Sequence, residues 1–563
     1  MLLMGGMVMK KNPLKIVAAA IGNCVHVAGS INFLNLAQQN GYKTKFLGPA
    51  VSISELLLTA KNTKADIIGV SYRLDPNAAH RLFELLKSKA TELGLINKCQ
   101  FICGCTPAVA AKARKFNFFT HVFDGSEQVT EIMQFLNGEI STEGEQLLGS
   151  DLLTRLKNKK PYPLLRHHFG LPKVEDTIKG IEKIAKSKVL DIISIGPDQN
   201  AQFSFFRPKE MDSILDGGGG VEIRTKEHMI QLYQAAQKGN YPLLRCYSGT
   251  RDLKKWAKLN ATTINNAWAA IPLCWYSVLD GRSNRTLVEA IIENQSTIAW
   301  HAKKNIPVEV NESHHWSLRH APDVIAVVMA YLAAYNAKSL GVKNYVAQYM
   351  LNTPYGTHYN MDIAKMLAKI SLINSLHDAN FQSIKQVRTG LASLSTDLNI
   401  AKGQLASSIH LAMSLDPDIV HVVGFSEANH AAKPEDVIES CKIVQGVINN
   451  TLNGLPYVAL DPVIFKRKKE LLKEAKVLLA AISNLASGSK DPLTDPHVIA
   501  KAIKIGLLDA PHLRGNSYTA GKIYTSIVNG KCLAIDKHTQ KPLTEQERIT
   551  KLIDETDLVV ASS

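Results

Sequence analysis

Short apolar runs alternate with amphipathic stretches along most of the chain. Between residues 14 and 138 the runs KIVAAAI, TKFLG, DIIGVS, CQFICG and HVFDG are each followed by helical periodicity, beginning near Gly29, Ser52, Asn77, Thr106 and Glu127. Continuous apolar runs separated by helices predict parallel strands covered on both faces. Five such units predict a doubly wound, flavodoxin-like (Rossmann-like) α/β sheet, whose ligand sits at the carboxyl ends of the strands where their order reverses. Residues 139–160 show no strand pattern and read as a connector with a short helix.

A second alternation with longer units begins at Tyr162. Its strand candidates are YPLLRHH, VLDIISIG, YPLLRCYS, ATTINN, IPVEVNE, NYVAQYM and DIVHVVGF, with long helices over 285–303, 319–340, 360–377 and 433–453. Seven or eight units of this kind predict a (β/α)8 TIM-type barrel, whose catalytic face is the carboxyl end of its strands. The remainder is helical and then carries a hairpin signal at Asn529-Gly530. The expected division is therefore 1–138, a linker at 139–160, a barrel at 161–465 and its extension at 466–563. The run GGGG at 217–220 lacks the GxxxxGK[ST] spacing of a phosphate loop, so close backbone approach or a flexible active-site loop is the expectation.

Length and composition agree with this reading. A chain of 563 residues predicts two or three domains, and no apolar run reaches the ~18 residues that span a bilayer. The first residues place their charges after the apolar stretch, the reverse of a secretory signal, and read as a tail before the first strand. The eight cysteines mostly sit in apolar surroundings, which predicts reduced thiols in a cytoplasmic protein. The net charge of +15 comes from scattered short lysine clusters without a nucleic-acid-binding motif. Neither a nucleic-acid nor a membrane partner is expected; a small-molecule substrate and a homodimer are.

The sharpest chemical feature is GNCVHVAG, between the first strand and first helix. A histidine in such a turn can point its imidazole away from the sheet at the ligand edge, and Gly29 lets the helix begin close to a ligand. With the later strands, residues 14–138 resemble the cobalamin (vitamin B12)-binding module of B12-dependent mutases and methionine synthases. That resemblance makes His26 the axial ligand of cobalt. It implies a cofactor-binding set of Gly22, Cys24, His26, Gly29, Ser71, Leu74, Cys103, Gly104, Gly125 and Ser126. His26 and Gly29 match the last two fixed positions of the family's D-x-H-x-x-G motif, Ser71 and Leu74 its S-x-L segment, Cys103-Gly104 its Gly-Gly pair and Gly125-Ser126 its later turn. Two departures stand out. The aspartate that hydrogen-bonds the ligand histidine is Cys24 here, with Asn23 as a possible substitute acceptor, and Cys103 adds a side chain where the cofactor's tail must thread.

From Tyr162 to about Ile549 the chain resembles the large, barrel-forming subunit of glutamate mutase (methylaspartate mutase). The matching stretches are PLLRHHFG, SILDGGGGV, YSGTRDLKKWA, LGVKNYVAQY, AIKIGLLDAPHLRGNSYTAGKI, CLAID and PLTEQERI. In that family the B12 module is normally a separate subunit; here the two are fused. The resemblance implies adenosylcobalamin as cofactor: its 5′-deoxyadenosyl radical takes a hydrogen atom from the substrate, which rearranges and regains it. The three arginines with which the family grips its dicarboxylate fall near Gln202, at Tyr247, and at Asn311 or Glu312, so none is arginine and glutamate is not the expected substrate. Arg245, one β-period before Tyr247, is placed to supply one guanidinium. Of the family's Lys and Glu near the adenosyl ribose, at Val423 and Glu427, only Glu427 survives.

Histidines take the place of the arginines: His167, His168, His314, His315, His320, His358 and His430. Adjacent histidines on a strand point opposite ways, so at most one of each pair faces the barrel centre. They remain open to acid/base work, substrate contact or metal binding. The expected catalytic set is Tyr247, Arg245, Gln202, Asn311, His168, His314, His315 and Glu427. The leading expectation is an adenosylcobalamin-dependent mutase, a cobalamin-dependent isomerase acting on a small acid or amino acid other than glutamate. A corrinoid (methylcobalamin) methyltransferase is the alternative, followed by a non-catalytic B12 carrier and, as a minor option, an aminomutase that also uses pyridoxal phosphate.

Overall fold

Five parallel strands, β1 (Lys15–Ala20), β2 (Lys43–Phe46), β3 (Ile67–Tyr72), β4 (Gln100–Cys105) and β5 (His121–Phe123), pair in the order β2-β1-β3-β4-β5. This is the flavodoxin-like order, and the reversal lies between β1 and β3. The computed structural model describes residues 13–125, 127, 129–136, 148–452, 461–486 and 488–561. The chain divides into two compact units, Met1–Thr142 and Glu143–Ser563. The expected N-terminal tail at 1–12, Ser126 and the first part of the connector, 139–147, lie outside the described residues.

The two faces of this sheet differ. Val17, Ala19, Ile68, Val70, Phe101 and Cys103 pack against the helices Ile53–Thr63, Pro76–Glu92 and Pro107–Lys115. By strand alternation Ala18, Gly69, Ser71 and Gly104 look the other way. That second column is made of small side chains, and a Cβ at Gly69 would already stand 3.0 Å from the Ala18 Cβ.

The second unit is a closed barrel. Strands β6 (Leu164–Phe169), β7 (Ile192–Ile195), β8 (Leu243–Cys246), β9 (Ala269–Ile271), β10 (Val308–Val310), β11 (Asn344–Leu351), β12 (Gln382–Thr389) and β13 (Ile419–Val422) are parallel neighbours in chain order. β13 pairs back with β6, and a bridge from Tyr247 to Ala270 joins β8 to β9. Two expectations are corrected. ATTINN is no strand: residues 261–263 end the helix Leu253–Thr263, and the strand is the short Ala-Ala-Ile at β9. β12, which no apolar run announced, supplies the eighth strand.

One end of the barrel is sealed. Leu164, Ile192, Leu243, Trp268, Val346, Ile384 and Ile419 form an apolar floor, beneath which Leu152 and Leu156 of the helix Leu152–Lys159 pack. Arg155 of that helix donates to the carbonyls of Gly149, Asp191 and Asn240 and so ties the floor to the loops around it. At the open end the C-terminal extension edges part of the rim. Asn516 donates to the carbonyls of Val278 and Leu279, at 3.0 and 3.1 Å. The rings of His512 and His320 lie 5.0 Å apart. The turn Asn529-Gly530, joining β14 (Thr525–Val528) to β15 (Lys531–Ala534), packs on His358. Asn529 and Gly530 both have positive φ, 50° and 75°, as that hairpin turn requires.

The GGGG run makes the close approach its composition suggests. A Cβ on Gly220 would stand 2.0 Å from the Gly196 carbonyl oxygen, to which Val221 N–H donates at 2.8 Å. Among the described residues no helix is long and apolar enough to cross a membrane.

Candidate functional site

His26 stands in the turn between β1 and the helix Ala28–Gln39, at the switch point of the small sheet, with its side chain exposed. Gly22 opens that turn with φ +67°, a conformation that costs glycine little. Gly29 lies exposed in the helix's first turn, with open space where a Cβ would project. Val25, Ile31 and Leu74 surround this edge and are 62%, 39% and 37% exposed, so apolar surface accompanies the imidazole.

The small-residue column leads away from this edge. Ser71 pairs in register with Gly104, and Gly104 with Phe123. A Cβ on Gly104 would meet nothing within 4 Å, so the sheet is open there. Phe33 of the first helix approaches Phe123 at 5.3 Å and Phe135 at 6.4 Å. An imidazole at a strand end, an apolar rim and a slot lined by Ser71 and Gly104 fit the two needs of a cobalamin: an axial ligand and a groove for its tail. Gly125 turns with φ +88° and, like Gly104, has open space at its Cβ position.

Both departures resolve differently from expectation. Cys103 is paired with Val70, so its side chain is buried on the face opposite Ser71 and Gly104 and does not enter the slot. Asn23 is exposed, and among the described residues no hydrogen bond joins it to His26. The neighbour of the imidazole is Cys24 itself, whose Sγ lies 3.8 Å from His26 Nδ1. A thiol is a far weaker hydrogen-bond acceptor than a carboxylate, so Nδ1 is held loosely.

In the barrel, strand alternation presents Arg166, Ser194, Arg245, Glu309, Gln348, Gln386 and His421 to the interior above the apolar floor. A run of hydrogen bonds crosses it. Tyr247 Oη and Arg166 Nη2 lie 2.8 and 3.0 Å from His168 Nε2. Arg166 Nη1 donates to Gln386 Oε1 at 2.9 Å, Gln386 Nε2 to Gln348 Oε1 at 3.1 Å, and Gln348 Nε2 meets His314 Nδ1 at 2.9 Å. Arg166 also donates to Ser194 Oγ and His421 Nδ1. Because two donors converge on His168 Nε2, that nitrogen is the acceptor and the proton sits on Nδ1.

Electrostatics keep these rings neutral. Burial, and then Arg166 and Arg245, hold His168 well below the usual imidazole range. Burial likewise depresses His314, His315 and His421. Even Arg166 is brought down to about 9, by burial and by Arg245 beside it. Arg245 meets Glu309 at 3.2 Å and lies against the Tyr247 ring, 4.5 Å from its centroid.

The structure thus brings His168, Tyr247, Arg245 and, through Gln348, His314 into one network. The His315 ring lies tilted against that of His314, with centroids 4.4 Å apart. That pair lies on the short helix Ser313–Ser317 rather than on a strand, so the opposite-facing rule does not apply to it. His167 does obey the rule and faces outward against Gly424. Asn311 follows β10 with its side chain buried. Glu312 accepts from Leu273 N–H, Cys274 N–H and Trp316 Nε1, and burial raises it to about 7.

Other expected members stand apart. Gln202 spends its amide on the Pro197 carbonyl at 2.8 Å. Glu427 is exposed in the loop after β13. His320 and His358 contact the C-terminal extension, and His430 lies 3.0 Å from Asp436. Among the described residues no group of three or more His, Cys, Asp or Glu is placed to hold a metal ion.

Sequence reasoning missed Arg166, Glu309, Gln348, Gln386, Arg388 and His421. Their signal was polar residues at period two (Arg166 and His168, Gln386 and Arg388) inside segments otherwise apolar.

No protein-family model and no curated protein matches the sequence. Solved structures with similar stretches include a novel cobalamin-binding protein from Desulfitobacterium hafniense DCB-2, at 23% identity over 20% of this chain and 52% of that one, with a TM-score of 0.17. A second is 2,3-dimethylmalate lyase, a PEP mutase/isocitrate lyase superfamily member, at 11% identity over 57% and 93% and a TM-score of 0.26. A third is the apo cobalamin-dependent S-adenosylmethionine radical enzyme OxsB, at 11% identity over 78% and 56% and a TM-score of 0.18. The chain spans about half the length of the first and third. At such TM-scores these likenesses carry no weight for function, which rests on the chain's own residues.

Proposed function

We propose that the chain is a cobalamin-dependent enzyme, and specifically an adenosylcobalamin-dependent mutase that isomerises a small acid or amino acid other than glutamate. The observation that carries this reading is His26: an exposed imidazole at the switch point of a β2-β1-β3-β4-β5 sheet, beside an open slot at Gly104. His26 would hold the cobalt, and Ser71, Leu74, Gly104 and Gly125 would line the tail. Bound adenosylcobalamin supplies a radical that removes one hydrogen atom from the substrate.

The barrel residues do the rest. The floor closes the far end of the barrel, and the extension narrows the access of water at part of the mouth. The hydrogen-bonded run from Tyr247 to His314 fixes side chains from three strands, the residue that follows β8 and one short helix in a single arrangement. Neutral His168 accepts the Tyr247 proton and fixes the direction of that hydroxyl, so that Tyr247 Oη would present its lone pairs to a donor on a bound substrate. Anaerobic mixing with adenosylcobalamin and a panel of small acids should give a cobalt(II) EPR signal with at least one of them. Silence across the panel, with turnover by methylcobalamin, would replace this reading with the corrinoid methyltransferase. One feature favours that second reading: the family's lysine near the adenosyl ribose falls at Val423, which is buried and apolar.

A further inference from the structure

The barrel interior carries more positive than negative charge. Three guanidiniums, Arg166, Arg245 and Arg388, project inward, and Glu309 is the buried carboxylate that faces them. Arg166 is satisfied by neutral acceptors alone: Ser194, Gln386, His421 and His168. Arg245 reaches one oxygen of Glu309, while its Nε and Nη1 are buried without a partner. The nearby imidazoles are neutral and add no negative charge.

Arg388 differs from the other two in position. It lies at the carboxyl end of β12, on the same inward face as Gln386, one β-period nearer the mouth. Arg166 and Arg245 are sealed, at 1% and 0% exposure, whereas Arg388 is partly open to solvent. Its Nε is buried without a partner, and among the described residues no hydrogen bond or ion pair engages its guanidinium. Glu427, on the exposed loop after β13, and Glu309 both act on its charge through space, without a hydrogen bond or ion pair to it.

A guanidinium cannot shed its charge as a buried lysine can, so an unpaired one beside two others is held at a cost. Its planar fork is matched by the two oxygens of a carboxylate. We propose that Arg388 is the anchor for the carboxylate of the substrate, with Arg166 and Arg245 beneath it supplying a positive field that Glu309 and, from the loop after β13, Glu427 offset in part. This rests on the barrel mouth being the active site, and it names the group there that selects for a small carboxylic acid. It also shifts the anion-binding role away from the positions where the resemblance looked for arginine and found Gln202, Tyr247, and Asn311 or Glu312.

The test uses the full chain without cobalamin, so that a failure of the B12 reading leaves it intact. Isothermal titration with propionate, succinate, propionamide and inorganic phosphate is run on wild type, Arg388→Gln and Arg388→Lys. A carboxylate should bind at millimolar concentration or below, with propionamide about tenfold weaker or more. Arg388→Gln should lose about tenfold or more in carboxylate affinity, and Arg388→Lys, a point charge without the fork, should fall between. Thermal unfolding supplies the second readout. Without ligand, Arg388→Gln should melt at or above the wild-type temperature, because it removes an uncompensated charge. The proposal is overturned if neither carboxylate binds, if phosphate binds in preference, if Arg388→Gln binds carboxylate as wild type does, or if that variant is destabilised as a structural arginine would be.

Discussion

Cys24 and His26 are separated by one residue, and how well His26 would serve as the proposed cobalt ligand turns on what stands between Nδ1 and the rest of the protein. An acceptor that holds a proton on Nδ1 leaves Nε2 free for a metal and makes it more basic. The thiol at 3.8 Å does this poorly. Cys24→Asp should therefore tighten cobalamin binding by about tenfold or more, read by equilibrium titration; unchanged affinity would show that the thiol already suffices. His26 was legible because a histidine in a strand-to-helix turn is visible in the sequence. Its true neighbour was not, because i to i+2 contacts depend on how the turn folds.

Glu312 offers a pH test at the same scale. Burial raises its carboxyl from the ordinary 4.5 to about 7, so the folded state binds this proton more tightly than the unfolded one. The stability it contributes is fully present below 4.5 and is lost as pH rises through about 7. Thermal melts of Glu312→Gln should lose that part of the pH dependence; a slope equal to wild type would contradict the assignment.

At the scale of elements, most strands were readable as apolar runs, and two were not for opposite reasons. β12 reads QSIKQVRT, with only Ile384 and Val387 apolar, because Gln386 and Arg388 on its inward face point into the polar barrel interior instead of packing as hydrocarbon. β9 reads Ala-Ala-Ile, with little β-propensity, and forms because its neighbours on both sides dictate it; the β-branched ATTINN just before it drew the expectation away. Arg388 was overlooked together with β12, whereas Arg166 was overlooked on β6, a strand whose apolar run was readable.

The same scale holds two stability tests. Asp323 pairs with Lys365 at 3.2 Å and Arg467 at 3.3 Å, joining the helices Asp323–Ser339, Tyr359–Asn374 and Pro462–Ser483 through a buried cluster. Asp323→Ala should cost about 1–3 kcal/mol in denaturant unfolding, because it removes the carboxylate shared by two buried cations and leaves Lys365 to Asp362 and Arg467 to Glu470 and Glu474. Gly220→Ala should lower the melting temperature far more than a surface substitution, since its Cβ would overlap the Gly196 carbonyl. A variant as stable as wild type would mean that the backbones can part there.

For the whole molecule, the alternation of apolar runs and helices made the fold class legible, down to a small sheet and a closed barrel in one chain. What the chain does with them depends first on whether the small sheet binds cobalamin through His26. The most direct measurement is the absorption spectrum of the purified full chain titrated with adenosylcobalamin. The account predicts a shift to the form in which the cofactor's own base is released and a protein imidazole takes its place, and loss of that shift in His26→Ala. A spectrum unchanged on mixing, or a shift that persists in His26→Ala, would contradict it.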